Sequence, residues 1–141
     1  MKTQRFLIAY EGKFTDGRSL NAAEIKAMVD NFNYEELMVP VTYAHYSWSP
    51  LLSEVIALGC DVIDYRIHLY AEIKVTDELK EIAGRKLAYH LTPEVMPGER
   101  NNYALTRLVG VGVTQNPIIP GLDILQFDRV NHENAILRSG Q

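Results

Sequence analysis

Hydrophobic and polar residues fall into short blocks whose period switches between two and about 3.6 along the chain. Arg5 to Tyr10 is an apolar, β-prone run and predicts a first strand. Glu11 to Leu20 follows with two glycines, and Asp16-Gly17 marks a turn. The clearest helix signal comes next. Asn21 stands as an N-cap with Glu24 three residues on, a capping-box pattern, and Ile25, Met28, Val29 and Phe32 make one apolar stripe. The stripe predicts a helix to about Phe32, packed on a sheet. Met38 to Tyr43 predicts a short strand interrupted by Pro40, so either an edge strand or one that begins there. It leads through Ala44-His45-Tyr46 into a loop rich in Ser and Pro.

Ser53 to Val62 is almost wholly apolar, and Tyr65 to Val75 alternates strictly. Tyr65, Ile67, Leu69, Ala71, Ile73 and Val75 share one face; Arg66, His68, Tyr70, Glu72 and Lys74 share the other. Joined near Asp61 to Asp64, the two runs predict an antiparallel hairpin. Thr76 caps a short helix through Ala83, with Asp77 and Glu78 in its first turn. Lys86 to Val95 predicts a strand broken by Pro93, and Pro97 to Asn102 a turn. Leu105 to Thr114 is a Val/Gly strand whose Gly110 and Gly112 leave bare backbone on one face, where something can approach closely. Ile124 to Phe127 predicts a last strand, and the polar tail from Asn131 is expected to fray. Strand, helix, strands, helix, strands predicts an α/β (α+β) fold: a mainly antiparallel or mixed barrel-like sheet with two helices.

The chain's 141 residues fit one domain, and 47% hydrophobic with 23% charged residues is globular composition. The net charge of −4, with Lys and Arg scattered, leaves no basic face and argues against a nucleic-acid partner. A lone Cys60 in an apolar run reads as a packed thiol in a reducing compartment. The apolar start is too short for a signal peptide, and no stretch reaches membrane-spanning length, so a cytosolic protein without a membrane partner is expected.

No phosphate loop, dinucleotide fingerprint or zinc spacing is present. The four histidines, His45, His68, His90 and His132, stand too far apart to signal a metal, so no cofactor is expected. What remains is a nucleophile with a base. A hydroxyl needs a neighbour to take its proton, and that base needs an orienting group. His45 follows a strand at the start of a loop, Thr92 precedes Pro93 and so is pushed towards extended backbone, and Asp16 lies in a turn. Each also has an ordinary structural role open to it: His45 bonding its own loop, Thr92 bonding across a sheet, Asp16 forming its turn. His68 reads as solvated. His90, two residues before Thr92 and on the same strand face, is an alternative base or orienter, and Ser47 and Ser49 are alternative hydroxyls.

The order of these features resembles that of the prohead (capsid maturation and scaffold) serine proteases of tailed phages, including the Mu-like and P2-like head proteases. The residues that carry the resemblance are Glu11-Gly12, Asp16-Gly17-Arg18, the Ala-Ala-Glu-Ile helix, a strand ending in His45, Leu91-Thr92-Pro93-Glu94, and Leu108 to Pro117. It covers roughly residues 5 to 127, and the protease-like domain is read as 1–130 with a polar tail over 131–141. The resemblance implies a fold related to the herpesvirus assembly protease and serine-type proteolysis of scaffold and major capsid protein within the prohead, in the host cytoplasm. It also leaves self-association open. By position, His45 matches the general base, Asp16 its acidic partner, and Thr92 the nucleophilic serine. The threonine keeps the hydroxyl, but its methyl stiffens χ1 and crowds the attack path, so reduced or lost activity is expected. Family members commonly carry a C-terminal scaffolding extension, whereas this chain stops soon after the protease-like segment. That points to the alternative of a catalytically impaired structural, scaffold or decoration component of the head.

Overall fold

The computed structural model describes residues 2–44, 48–99 and 102–127, together with the backbone of Leu137 and Arg138. Strand β1 (Thr3–Tyr10) opens the chain, and a small ribbon of β2 (Gly12–Lys13) and β3 (Ser19–Leu20) folds over the Asp16-Gly17 turn. Helix α1 (Ala22–Asn31) precedes β4 (Val39–Tyr43), β5 (Ser53–Ile63) and β6 (Arg66–Lys74). Helix α2 (Asp77–Ala83), β7 (His90–Met96), β8 (Arg107–Thr114) and the two-residue β9 (Leu137–Arg138) complete it. Six strands lie in the order β1-β6-β5-β4-β8-β7, with β9 beside β5. Among the described strands, only β4 and β8 pair in parallel. The sheet curls into a mixed half-barrel with the two helices, as the order of elements predicts.

The local signals work as expected. Asn21 accepts from Glu24 N, and the Glu24 carboxylate accepts from Asn21 N, which closes the capping box. Ile25, Met28 and Val29 of α1 are buried and pack on β5, β6 and β8; each such side chain contributes about 1.5–3 kcal/mol. Thr76 Oγ1 accepts from Leu79 N at the start of α2, whose Leu79 and Ile82 join the core. Asp64 and Tyr65 both take positive φ, the conformation of a two-residue hairpin turn between Ile63 and Arg66.

Several expectations change. Tyr65 belongs to that turn and is fully exposed, so the buried face of β6 starts at Ile67; on the opposite face Tyr70 is buried as well. Pro40 does not mark an edge. β4 lies inside the sheet, but its pairing with β8 begins only at Val41, so the missing N–H sits at the strand's start, the second of the two alternatives. Pro93 does not break β7, because β7 ends the sheet order. Ile124 contributes one isolated bridge to His90 instead of a strand. Of the polar tail, the backbone of Leu137 and Arg138 pairs with Gly59 and Leu58, and the rest lies outside the described residues.

The segment from Pro120 to Phe127 laces the two edges of the half-barrel together. It accepts the Tyr10 hydroxyl at Pro120 O (2.8 Å) and the Gln4 amide at Gln126 O (2.7 Å). Asp123 Oδ2 accepts Leu7 N (2.8 Å) at a bulge in β1 that turns both Ile8 and Ala9 inward. On the β7 side, Leu125 N donates to Tyr89 O (2.8 Å) and the His90 ring nitrogen Nδ1 meets Asp123 O (3.2 Å). The end of β7 that bears Thr92 is thereby fixed against β1.

Candidate active site

Antiparallel pairing sets Thr92 opposite Gly112 and Glu94 opposite Gly110. Residues two apart on a strand share a face, so Thr92 and Glu94 stand side by side above two glycines. That bare backbone is filled from above. A Cβ at Gly112 would stand 2.7 Å from Ala44 Cβ and 3.4 Å from Glu94 Oε2, and one at Gly110 would overlap Glu94 Oε1. The close approach foreseen from the glycine spacing is that of Ala44 and Glu94. Ala44 is held there by its N–H donating to Val113 O (3.0 Å) as β4 runs beside β8.

Above this floor lies an open cleft of about 510 Å³. Thr92, Pro93, Glu94 and Val95 of β7 form one side. Phe14, Arg18 and Leu20 around the β2–β3 ribbon, with Pro117 to Ile119, form others. Thr92 Oγ1 donates to Gly112 O at 3.4 Å, well beyond the ~2.7–2.8 Å usual for a hydroxyl donor, so the sheet holds this hydroxyl only loosely.

Asp16 occupies the exposed turn of the ribbon and is not among the residues that line the cleft. Its carboxylate accepts Arg18 N (3.0 Å) and, through the other oxygen, Arg18 Nε. These bonds, the backbone one first, hold it below the usual carboxylate range. Arg18 does line the cleft, so Asp16 touches the site through that guanidinium. Ala44, directly before His45 in sequence, lines the cleft too. His45 and Ser47 lie outside the described residues, as does His132. Ser49 Oγ accepts Tyr43 N (3.0 Å) and donates to Pro50 O (3.0 Å), a loop-fixing role. His68, expected to be solvated, is half-buried against Tyr10. Cys60 is a half-buried thiol packed on the core, with burial pushing its pKa up.

A polar bracket joins the strands on either side of the site. The Arg85 guanidinium donates to Tyr43 OH at the end of β4 and to Tyr89 OH just before β7, both at 3.3 Å, and pairs with Glu81 at 2.8 Å. Gln115 Nε2 also donates to Tyr89 OH (3.0 Å), and these bonds, Arg85 foremost, pull the phenol below its ordinary pKa. Only the (i, i+4) spacings Glu81–Arg85 and Arg85–Tyr89 hint at this bracket in the sequence. Among the described residues, no group of three or more His, Cys, Asp or Glu side chains is placed to hold a metal ion. Nor is any described helix long and apolar enough to cross a membrane.

No curated protein and no solved structure gives a significant match to the chain. Residues 3–130 match the family model described as GPO serine peptidase, N-terminal domain. That match spans nearly all of the described fold and takes in every described residue that lines the cleft, so the chain belongs to the phage GPO serine peptidase family.

Proposed function

We propose that this domain is a capsid-maturation (prohead) endopeptidase that cuts scaffold and major capsid protein segments during head assembly, with Thr92 as its nucleophile. The observation that carries the reading is a juxtaposition within a member of this peptidase family. The loosely held Thr92 hydroxyl lines an open cleft together with Ala44, after which the chain continues into His45. In this reading His45 takes the hydroxyl proton as Thr92 Oγ1 adds to the scissile carbonyl carbon. Backbone N–H groups hold the oxyanion. The proton passes from His45 to the departing amine, and water then hydrolyses the threonyl ester. Asp16 serves as the acidic partner in this reading, reaching the cleft from the ribbon through Arg18.

The test is intact mass spectrometry of scaffold and capsid protein co-expressed with this chain, beside His45→Ala, Thr92→Ala and Thr92→Ser versions. Truncation that vanishes in both alanine variants is the expected result. Thr92→Ser, which removes the crowding methyl, is expected to cut about tenfold faster. Partners left whole by every version would overturn the reading.

The second reading, a catalytically impaired head component, is favoured by that same β-branched side chain, whose hydroxyl faces the Gly112 carbonyl. Its signature is co-purification without cutting, together with cutting restored by Thr92→Ser alone.

A further inference from the structure

Among the described residues, three charged side chains line the cleft: Arg18, Glu24 and Glu94. Two of them are already engaged. Arg18 is bound by Asp16, and the Glu24 carboxylate accepts Asn21 N in the capping box. The Glu94 carboxylate has no hydrogen-bond or ion-pair partner among the described residues, although it lies over the glycine floor at Gly110 and Gly112. Its surroundings in the cleft include Pro93, Val95, Phe14 and Ile118. A peptide that filled this space would strip water from the carboxylate. Desolvation without a new partner is costly, so a neutral side chain would weaken its own binding and an acidic one would be repelled. A Lys or Arg would return a charge-assisted bond while its aliphatic stem lay along the apolar walls.

We propose that Glu94 forms a specificity subsite for a basic residue of the substrate segment, close to the bond that is cut. The inference rests on the peptidase reading of the same cleft. Glu94 is two strand residues from Thr92, roughly 6.6 Å along the chain, about the spacing of alternate residues in an extended peptide. The basic residue therefore lies within one or two positions of the attacked carbonyl.

Binding can be measured without cutting, on the Thr92→Ala protein. The probe is an array of ten-residue peptides in which each position in turn is Lys, Arg, Gln, Leu or Glu. A preference of about tenfold or more for Lys and Arg over Gln at one register position is expected. Adding Glu94→Gln should flatten that preference, and Glu94→Lys should shift it to Glu. An unchanged profile in Glu94→Gln, no preference for cations in the parent, or no binding of any peptide would each overturn the subsite. A Glu94-dependent preference in a protein that never cuts would leave the subsite standing and remove the peptidase reading alone.

Discussion

Thr92, Glu94, Gly110, Gly112 and Ala44 form one packing unit, in which each side chain occupies room that a neighbour gives up. The two glycines differ in what they make room for, and that difference can be measured. At Gly112 an added Cβ meets Ala44 Cβ at 2.7 Å and Ala44 Cα at 3.1 Å, and Ala44 is pinned by its backbone bond to Val113. Neither atom can swing aside, so Gly112→Ala is expected to cost about 1–3 kcal/mol in urea unfolding. At Gly110 the obstacle is the end of the Glu94 side chain, which can rotate away. Gly110→Ala should therefore cost less than about 1 kcal/mol while displacing the carboxylate from its place. Equal losses from the two substitutions would mean that the floor is not packed in this way. The glycine spacing was legible in the sequence because a bare strand face follows from alternation alone. The place of Glu94 over the glycine floor, with no partner among the described residues, and the Arg85 bracket were not, since both depend on which strands end up side by side.

At the scale of elements, what a few neighbouring residues decide can be read directly, and what distant pairing decides cannot. Both helix starts follow from caps within three residues of each other, Asn21 with Glu24 and Thr76 with Leu79. The α1 cap lends itself to a clean test, because its two bonds are reciprocal and local. Asn21→Ala is expected to cost about 1 kcal/mol and lower the melting temperature by roughly 4 °C in thermal unfolding followed by circular dichroism. Asn21→Ser, which restores a capping oxygen, should recover most of the loss. No recovery would show that Asn21 acts through something other than the cap. By contrast, Pro40 in an interior strand and Ile124 as a lone bridge are settled by pairings with Glu54 and His90, 14 and 34 residues away. Tyr65 keeps the alternation of β6 in sequence and still leaves the strand, because the hairpin turn claims it. Thr92 could be recognised as a candidate from its motif, whereas its place in a cleft required β4, β7, β8 and the ribbon to converge.

For the molecule as a whole, one ion pair between neighbouring strands of the sheet, joined by a tyrosine from the segment after α1, should set part of the pH dependence of stability. Glu54 on β5 accepts the Lys74 ammonium of β6 at 2.6 Å, and the Tyr34 hydroxyl, from the segment after α1, donates to the same carboxylate at 2.6 Å. The Lys74 bond first, and then that of Tyr34, lowers the Glu54 pKa below its ordinary value, while the same pairing raises that of Lys74. In the unfolded chain Glu54 titrates near the ordinary value of about 4.3, so the unfolded state takes up its proton first as pH falls. Its contribution is thus fully present above about pH 4.3 and is lost as pH drops through that value and then through the lower folded one. Lys74 acts in the opposite sense: its contribution is fully present below about pH 10.4 and fades as pH rises through its raised folded value. Between these limits the pair holds β5 and β6 together, with Tyr34 bonded to the same carboxylate, with little dependence on pH. Urea unfolding from pH 7 to pH 3 should show a steeper loss for the parent than for Glu54→Gln, which keeps the Tyr34 acceptor but has no charge to lose. Asp16 is also depressed and is untouched by this change, so some acid sensitivity should persist in the variant. Parallel pH curves for the two proteins would show that the acid side of stability is carried by other carboxylates. A steeper acid loss in the parent would identify Glu54 as a carboxylate whose ionised form the folded β5–β6 pair favours.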